Sequence, residues 1–117
     1  LYLAACCLLL YYFSRKLPAE GDFVKYGAFH TGEVAYVMDN FKFLHRPWKP
    51  EDFRLGTTMS DYWVNFITGS DPNGKGLPEW PKFNTQNYSA MVFDTISGAQ
   101  TIPDKNELSF MMSVLDK

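Results

Sequence analysis

A chain of 117 residues has the size of one ordinary domain, and 46% apolar with 21% charged residues excludes a disordered polypeptide. Eleven Lys and Arg against thirteen Asp and Glu give a formal charge of -2 with no basic stripe, which argues against nucleic acid or an anionic membrane as partner. Aromatics make up 17% and fall in short clusters (YYF, FKF, YW, EWPKF), so irregular chain must be held by ring packing.

The chain opens with LYLAACCLLLYYF, thirteen residues without a charge. This run is too short to span a membrane, and no basic segment precedes it as in a signal peptide. It reads as a buried strand around Leu8 to Phe13, apolar enough to be covered on both faces, with apolar lead-in. Cys6 and Cys7 are adjacent, which suits neither a bridge between them nor metal-ligand spacing, so they read as apolar filler and leave the redox compartment open. The first residue is Leu, which points to a processed chain or the tail of a longer one.

Ser14 to Lys25 reads as a polar connection punctuated by Pro18 and Gly21. It leads into YGAFHTGEVAYVM, Tyr26 to Met38, which holds His30 in a glycine-flanked loop and a short helix over Glu33 to Met38. Asp39 to Leu55, with two prolines and three Phe, reads as an irregular covering segment. In GTTMSDYWVNFITG the residues Met59, Tyr62, Trp63, Phe66 and Ile67 recur at the helical period. Thr57 or Thr58 is the expected cap of that helix and Gly69 its end. A long loop follows to Asn87, then a strand over Tyr88 to Phe93. Asp104 and Glu107 have capping-box spacing ahead of an apolar stripe of Leu108, Met111, Met112 and Leu115. The order strand, loop, helix, helix, strand, helix places the chain in the α/β class.

Several short patterns carry little. GSDPNGKG has Gly69, Gly74 and Lys75 at phosphate-loop spacing, but Gly76 stands where a magnesium-holding hydroxyl is needed, and a helix precedes it instead of a strand. The same residues lack the alternating carboxylates of a calcium loop. Two histidines without a third nitrogen or thiolate make no zinc site, and His45 in FLHRPW reads as surface or structural. Asn87-Tyr88-Ser89 is a glycosylation triplet, a match common by chance.

His30 is the one residue with chemical promise. Gly27, Ala28 and Gly32 allow a tight turn, the loop follows a presumed sheet strand where α/β proteins gather their chemistry, and imidazole titrates near neutrality. Taken alone, a single histidine of this kind is more often structural.

The segment resembles the catalytic-histidine region of the type-B carboxylesterases, the family of cholinesterases and para-nitrobenzyl esterases. Its Gly-x-x-His-x-x-Glu core is matched by Gly27, His30 and Glu33, followed by Tyr36 and Val37. Downstream, Tyr62, Trp63, Asn65, Phe66, Gly69, Pro72 and Asn73 resemble the family's helix and turn, with one residue more than the commonest spacing between Gly69 and Pro72. LPEWPKF resembles the Trp-Pro segment behind it, and YYFSRKLP the strand leading into the histidine loop. Residues 1–10 do not resemble the polar segment expected there and form an atypical start.

The resemblance implies the C-terminal portion of an α/β-hydrolase fold, one partial domain, with His30 as the triad histidine and Glu33 bracing its loop instead of serving as triad acid. It implies a small-molecule ester as substrate, no cofactor and no metal. No glycine has Ser two residues after it, so the Gly-x-Ser-x-Gly elbow is missing, and so is the glycine-rich oxyanion segment. The expectation is a fragment that supplies the histidine, needs the missing N-terminal part of its own domain and is inert alone. The alternatives are a non-catalytic cholinesterase-like scaffold module and a small α/β binding protein. Location stays open, with secreted or periplasmic placement favoured because many relatives are exported.

Overall fold

The structure, a computed structural model, describes residues 8–84, 86–102 and 105–115, the side chains of Lys105, Leu108, Met112 and Leu115 excepted. Three strands form one mixed sheet: β1 (Tyr11–Phe13), β2 (Ser89–Phe93) and β3 (Gly98–Thr101), in the order β1-β2-β3. β1 runs parallel to β2 with Tyr11 opposite Met91, and β3 returns antiparallel with Thr101 opposite Ser89. The helices are α1 (Val34–Val37), α2 (Pro50–Gly69) and α3 (Lys105–Leu115).

β2 is the middle strand and buries Ala90, Met91 and Phe93. β1 is shorter than its apolar run predicts, and it is not covered on both faces. Tyr12 is 64% exposed: successive side chains point to opposite faces, and it is Tyr11 and Phe13 that pack, on Trp63 and Tyr36. β3 had no sequence signal: GAQT is neither apolar nor alternating, and its pairing to β2 through the Asp94–Ser97 turn decides its state. The polar connection after β1 contains one 3-10 helix, Gly21–Tyr26, and is closed at its base by Leu17 N–H donating to Gly27 O at 3.2 Å.

α2 begins eight or nine residues before the expected start, its N-cap being Lys49 instead of Thr57 or Thr58. Pro50 occupies its first turn, where a fixed φ helps and a missing N–H costs nothing. The Lys49 N–H donates to Asp52 Oδ2 at 2.9 Å, and Glu51 and Asp52 complement the helix dipole. Neither Thr57 nor Thr58 caps; Thr57 lies inside the helix and its hydroxyl donates to Phe53 O. The segment Asp39 to Leu55 is thus not wholly irregular: it holds a 3-10 helix at Phe41–Phe43 and the first turns of α2 from Pro50. Gly69 does end the helix, followed by Ser70 in a left-handed conformation at φ 60°.

The buried face of α2 also differs from expectation. Asp52, Leu55, Gly56, Met59 and Tyr62 are buried, whereas Phe66 is exposed and Ile67 is 77% exposed. Burial of Met59, Met91 and Phe93 contributes about 1.5–3 kcal/mol each. Gly56 lets α2 approach Phe41: a Cβ there would sit 2.5 Å from the Phe41 ring. Phe41 in turn meets Trp48 at 4.8 Å and Tyr36 at 5.1 Å, which locks the segment between α1 and α2 onto both.

The loop after α2 is irregular but stapled. Asn73 accepts from Trp80 N at 2.7 Å and donates to Trp80 O at 3.1 Å, Asn65 donates to Pro72 O, and the Tyr62 hydroxyl donates to Pro78 O. Trp80 Nε1 reaches back to Leu10 O at 3.0 Å, tying the loop to the lead-in of β1. Cys6, Cys7 and the Asp104 cap lie outside the described residues, as do the side chains of Leu108, Met112 and Leu115; Met111 is exposed.

Candidate functional site

The histidine loop leaves the C-terminal end of β1 and ends at α1. Gly32 N–H donates to Phe29 O at 2.9 Å, closing a four-residue turn in which His30 is second and Thr31 third. Thr31 sits at φ 70°, the left-handed value that the third position of a type II turn demands and that a β-branched residue adopts at a cost. Gly32 is required by crowding: a Cβ there would lie 2.8 Å from Leu17 Cδ1 and 2.9 Å from Phe29 O.

The flanks of this turn are held from outside it. The Arg46 guanidinium lies over the Phe29 ring at 5.3 Å and donates to Pro18 O at 3.2 Å. Leu17, buried under Gly32, completes the floor. His30 itself is exposed at the turn, and among the described residues nothing hydrogen-bonds its ring. Glu33 stands half-buried at the N-terminus of α1, and its carboxylate faces the Tyr11 phenol. Burial first, and the Glu33 carboxylate second, push the Tyr11 hydroxyl above its ordinary pKa. His30 and Glu33 are neighbours along the chain without a bond between them.

Behind the turn lies a closed polar network. Asp52 is fully buried and accepts from Arg15 Nε at 2.7 Å, the Tyr36 hydroxyl at 2.8 Å and Lys49 N–H at 2.9 Å. Burial alone would raise the Asp52 carboxyl; the three donors outweigh it and hold it below the ordinary carboxylate range. Tyr36, buried and bonded to the same carboxylate, is pushed well up, and burial drives Tyr62 up to about 12. Arg15 and Asp52 were not singled out in the sequence, since a single Arg and a single Asp in separate segments carry no local pattern.

Other sequence candidates stay apart from the turn. His45 is exposed, and Trp48 beside it donates to Phe41 O and Leu44 O instead of to the imidazole. Lys75 lies in an exposed turn after α2, with no strand before it. Among the described residues no group of His, Cys, Asp or Glu is arranged to hold a metal ion, and no helix is long and apolar enough to cross a membrane.

A model of the carboxylesterase family matches residues 8–111. The chain belongs to the carboxylesterase family. Among curated carboxylesterase relatives, liver carboxylesterase 1 of Oryctolagus cuniculus is 34% identical over 81 residues, which cover 69% of this chain and 14% of that protein. The medium-chain fatty acyl-CoA hydrolase precursor of Anas platyrhynchos is 29% identical over 96 residues, 82% of this chain and 16% of that one. Among solved structures, the Geobacillus stearothermophilus carboxylesterase EST55 superposes with a TM-score of 0.66 at 28% identity, covering 86% of this chain and 21% of its own. A thermophilic PNB esterase shares the fold at a TM-score of 0.71 and 19% identity, over 85% of this chain and 20% of that one. The chain thus spans about a seventh to a fifth of the lengths of these relatives. Its sheet and helices form part of an α/β-hydrolase fold.

Proposed function

We propose that this chain is the C-terminal part of a serine carboxylesterase and that His30 is the general base of its Ser-acid-His triad. The observation that carries the reading is an imidazole free of hydrogen bonds among the described residues, displayed at a turn whose geometry is enforced by Thr31, Gly32 and Leu17. A ring held this way has both nitrogens available, one for a serine hydroxyl and one for an acid. In the parent, His30 takes the proton from the serine oxygen as it attacks an ester carbonyl. It returns that proton to the departing alcohol, leaving an acyl-enzyme that water then cleaves. Glu33 holds the start of α1 against Tyr11 and keeps the turn in place. The 117 residues form one partial domain, and with neither the serine elbow nor an oxyanion hole they are inert alone.

A fluorophosphonate probe on the parent tests the assignment. Labelling of one serine, together with loss of p-nitrophenyl ester hydrolysis in His30→Ala, is the expected result. An unlabelled parent favours the scaffold alternative, and undiminished hydrolysis in His30→Ala favours a structural histidine. The exposed β1, Val64, Phe66 and Ile67 also lead to an association test. The isolated chain should self-associate in size-exclusion chromatography; a cooperatively folded monomer would sink the partial-domain reading.

A further inference from the structure

We infer that Asn87 is an N-glycosylation site, a covalent modification that the esterase reading does not require. The triplet Asn87-Tyr88-Ser89 has the necessary hydroxyl residue two positions on and no proline between. A triplet alone is weak, and its structural setting is what strengthens it. Asn87 is exposed, as are Asn84 and Gln86 around it, so a bulky substituent enters solvent and not a packed surface.

The local backbone favours the acceptor. Asn87 Oδ1 accepts from Ser89 N–H at 3.3 Å, folding the asparagine side chain back along the triplet and bringing it towards the residue whose hydroxyl is needed. Tyr88 stands at φ 48°, and its ring packs edge-on against Phe83 at 5.8 Å, turned away from duty at the acceptor. Asn84 O accepts from Tyr88 N, Asn84 Oδ1 from Asn87 N and Tyr88 O from Ile102 N, so the turn is tied on both sides without using the side-chain Nδ2 of Asn87.

The co-reactant is an oligosaccharide carried on a lipid pyrophosphate. The Asn87 Nδ2 forms a bond to the anomeric carbon while the carbon–oxygen bond to pyrophosphate breaks. The lipid pyrophosphate departs with the electron pair, and the amide gives up one proton to the transferase. The product keeps Oδ1 as an acceptor, so the bond from Ser89 N–H survives.

Topology removes the obvious conflict with catalysis. β1 and β2 are parallel; the His30 connection leaves the C-terminal end of β1, whereas Asn87 precedes the N-terminal end of β2. A glycan there stands at the opposite end of the sheet from the strand ends where α/β proteins bind their ligands. It also extends the polar surface beside a loop otherwise flanked by aromatic packing.

The test expresses the parent polypeptide with its own N-terminal sequence in a eukaryotic secretory host. Peptide-N-glycosidase digestion in oxygen-18 water is followed by mass spectrometry of the peptide containing residue 87. The expected result is labelled Asp at position 87 in the wild type, retained in Ser89→Thr and lost in Ser89→Ala. The alanine variant keeps the backbone N–H that closes the turn, so its folding is preserved, and Asn87→Gln serves as a second control. Recovery of unmodified Asn87 from secreted protein, label persisting in Ser89→Ala, or retention of the parent in the cytosol overturns the proposal. None of these readouts depends on ester hydrolysis, so failure here leaves the assignment of His30 untouched.

Discussion

His30 and Asp52 flank the same short helix and have opposite fates. Asp52 is sealed from solvent and receives three donors, all from this chain. His30 is exposed, with no partner among the described residues, while the turn that carries it is tightly specified. Groups that hold the fold complete their bonding within the segment; a group proposed to move protons is fixed in place and keeps its bonding capacity for others. Of the two, Asp52 is the one whose bonding is completed within this chain.

That contrast can be broken by substitution. His30→Ala in the parent should lower kcat for a p-nitrophenyl ester on the order of 10⁴-fold or more while leaving the thermal midpoint nearly unchanged. A matching loss of stability would make His30 a packing residue. Asp52→Ala should do the reverse, leaving Arg15 Nε and the Tyr36 hydroxyl without the acceptor they share. Denaturant unfolding of the parent should show a cost of about 3–5 kcal/mol, with kcat of the folded fraction preserved.

Gly32→Ala lies between the two. A Cβ pressed against Leu17 and Phe29 O costs about 1–3 kcal/mol, and displacement of the turn lowers kcat by about 10²-fold with KM little changed. An unaffected kcat would mean that the turn need not hold the imidazole closely.

The smallest effect is a pH dependence. Because the Asp52 carboxyl sits below its unfolded value of about 3.9, its contribution is complete above that value. It is lost as pH falls through the lower folded value. Thermal midpoints measured down an acid series should therefore drop less steeply in Asp52→Asn than in the wild type. Equal slopes would show that the three donors do not favour the charged carboxylate.

Much of the local structure of the candidate site was legible because its signals are local. Gly27, His30, Gly32 and Glu33 lie within seven positions, so the turn itself shows in a short window, whereas Leu17 and Arg46, which hold its flanks, do not. The helix over Glu33 to Met38, the end of α2 at Gly69 and the strand near Tyr88 to Phe93 were legible for the same reason. The start of α2 was missed because proline is both a breaker inside a helix and a favoured first residue, and only Asp52 bonding back to Lys49 N–H separates the two cases.

Amino-acid order by itself pointed to the α/β class, the tight turn around His30 and the end of α2 at Gly69, because strand and helix patterns and turn residues act over a few positions. Tertiary structure decided that GAQT is a strand, that α2 turns Asp52, Leu55, Met59 and Tyr62 inward, and that Arg15, Tyr36 and Asp52 form one network. These outcomes depend on residues as far apart as Arg15 and Thr95, which bond across the sheet end at 3.3 Å. Such pairings become favourable only once the intervening chain has closed, and no local window of sequence contains both partners.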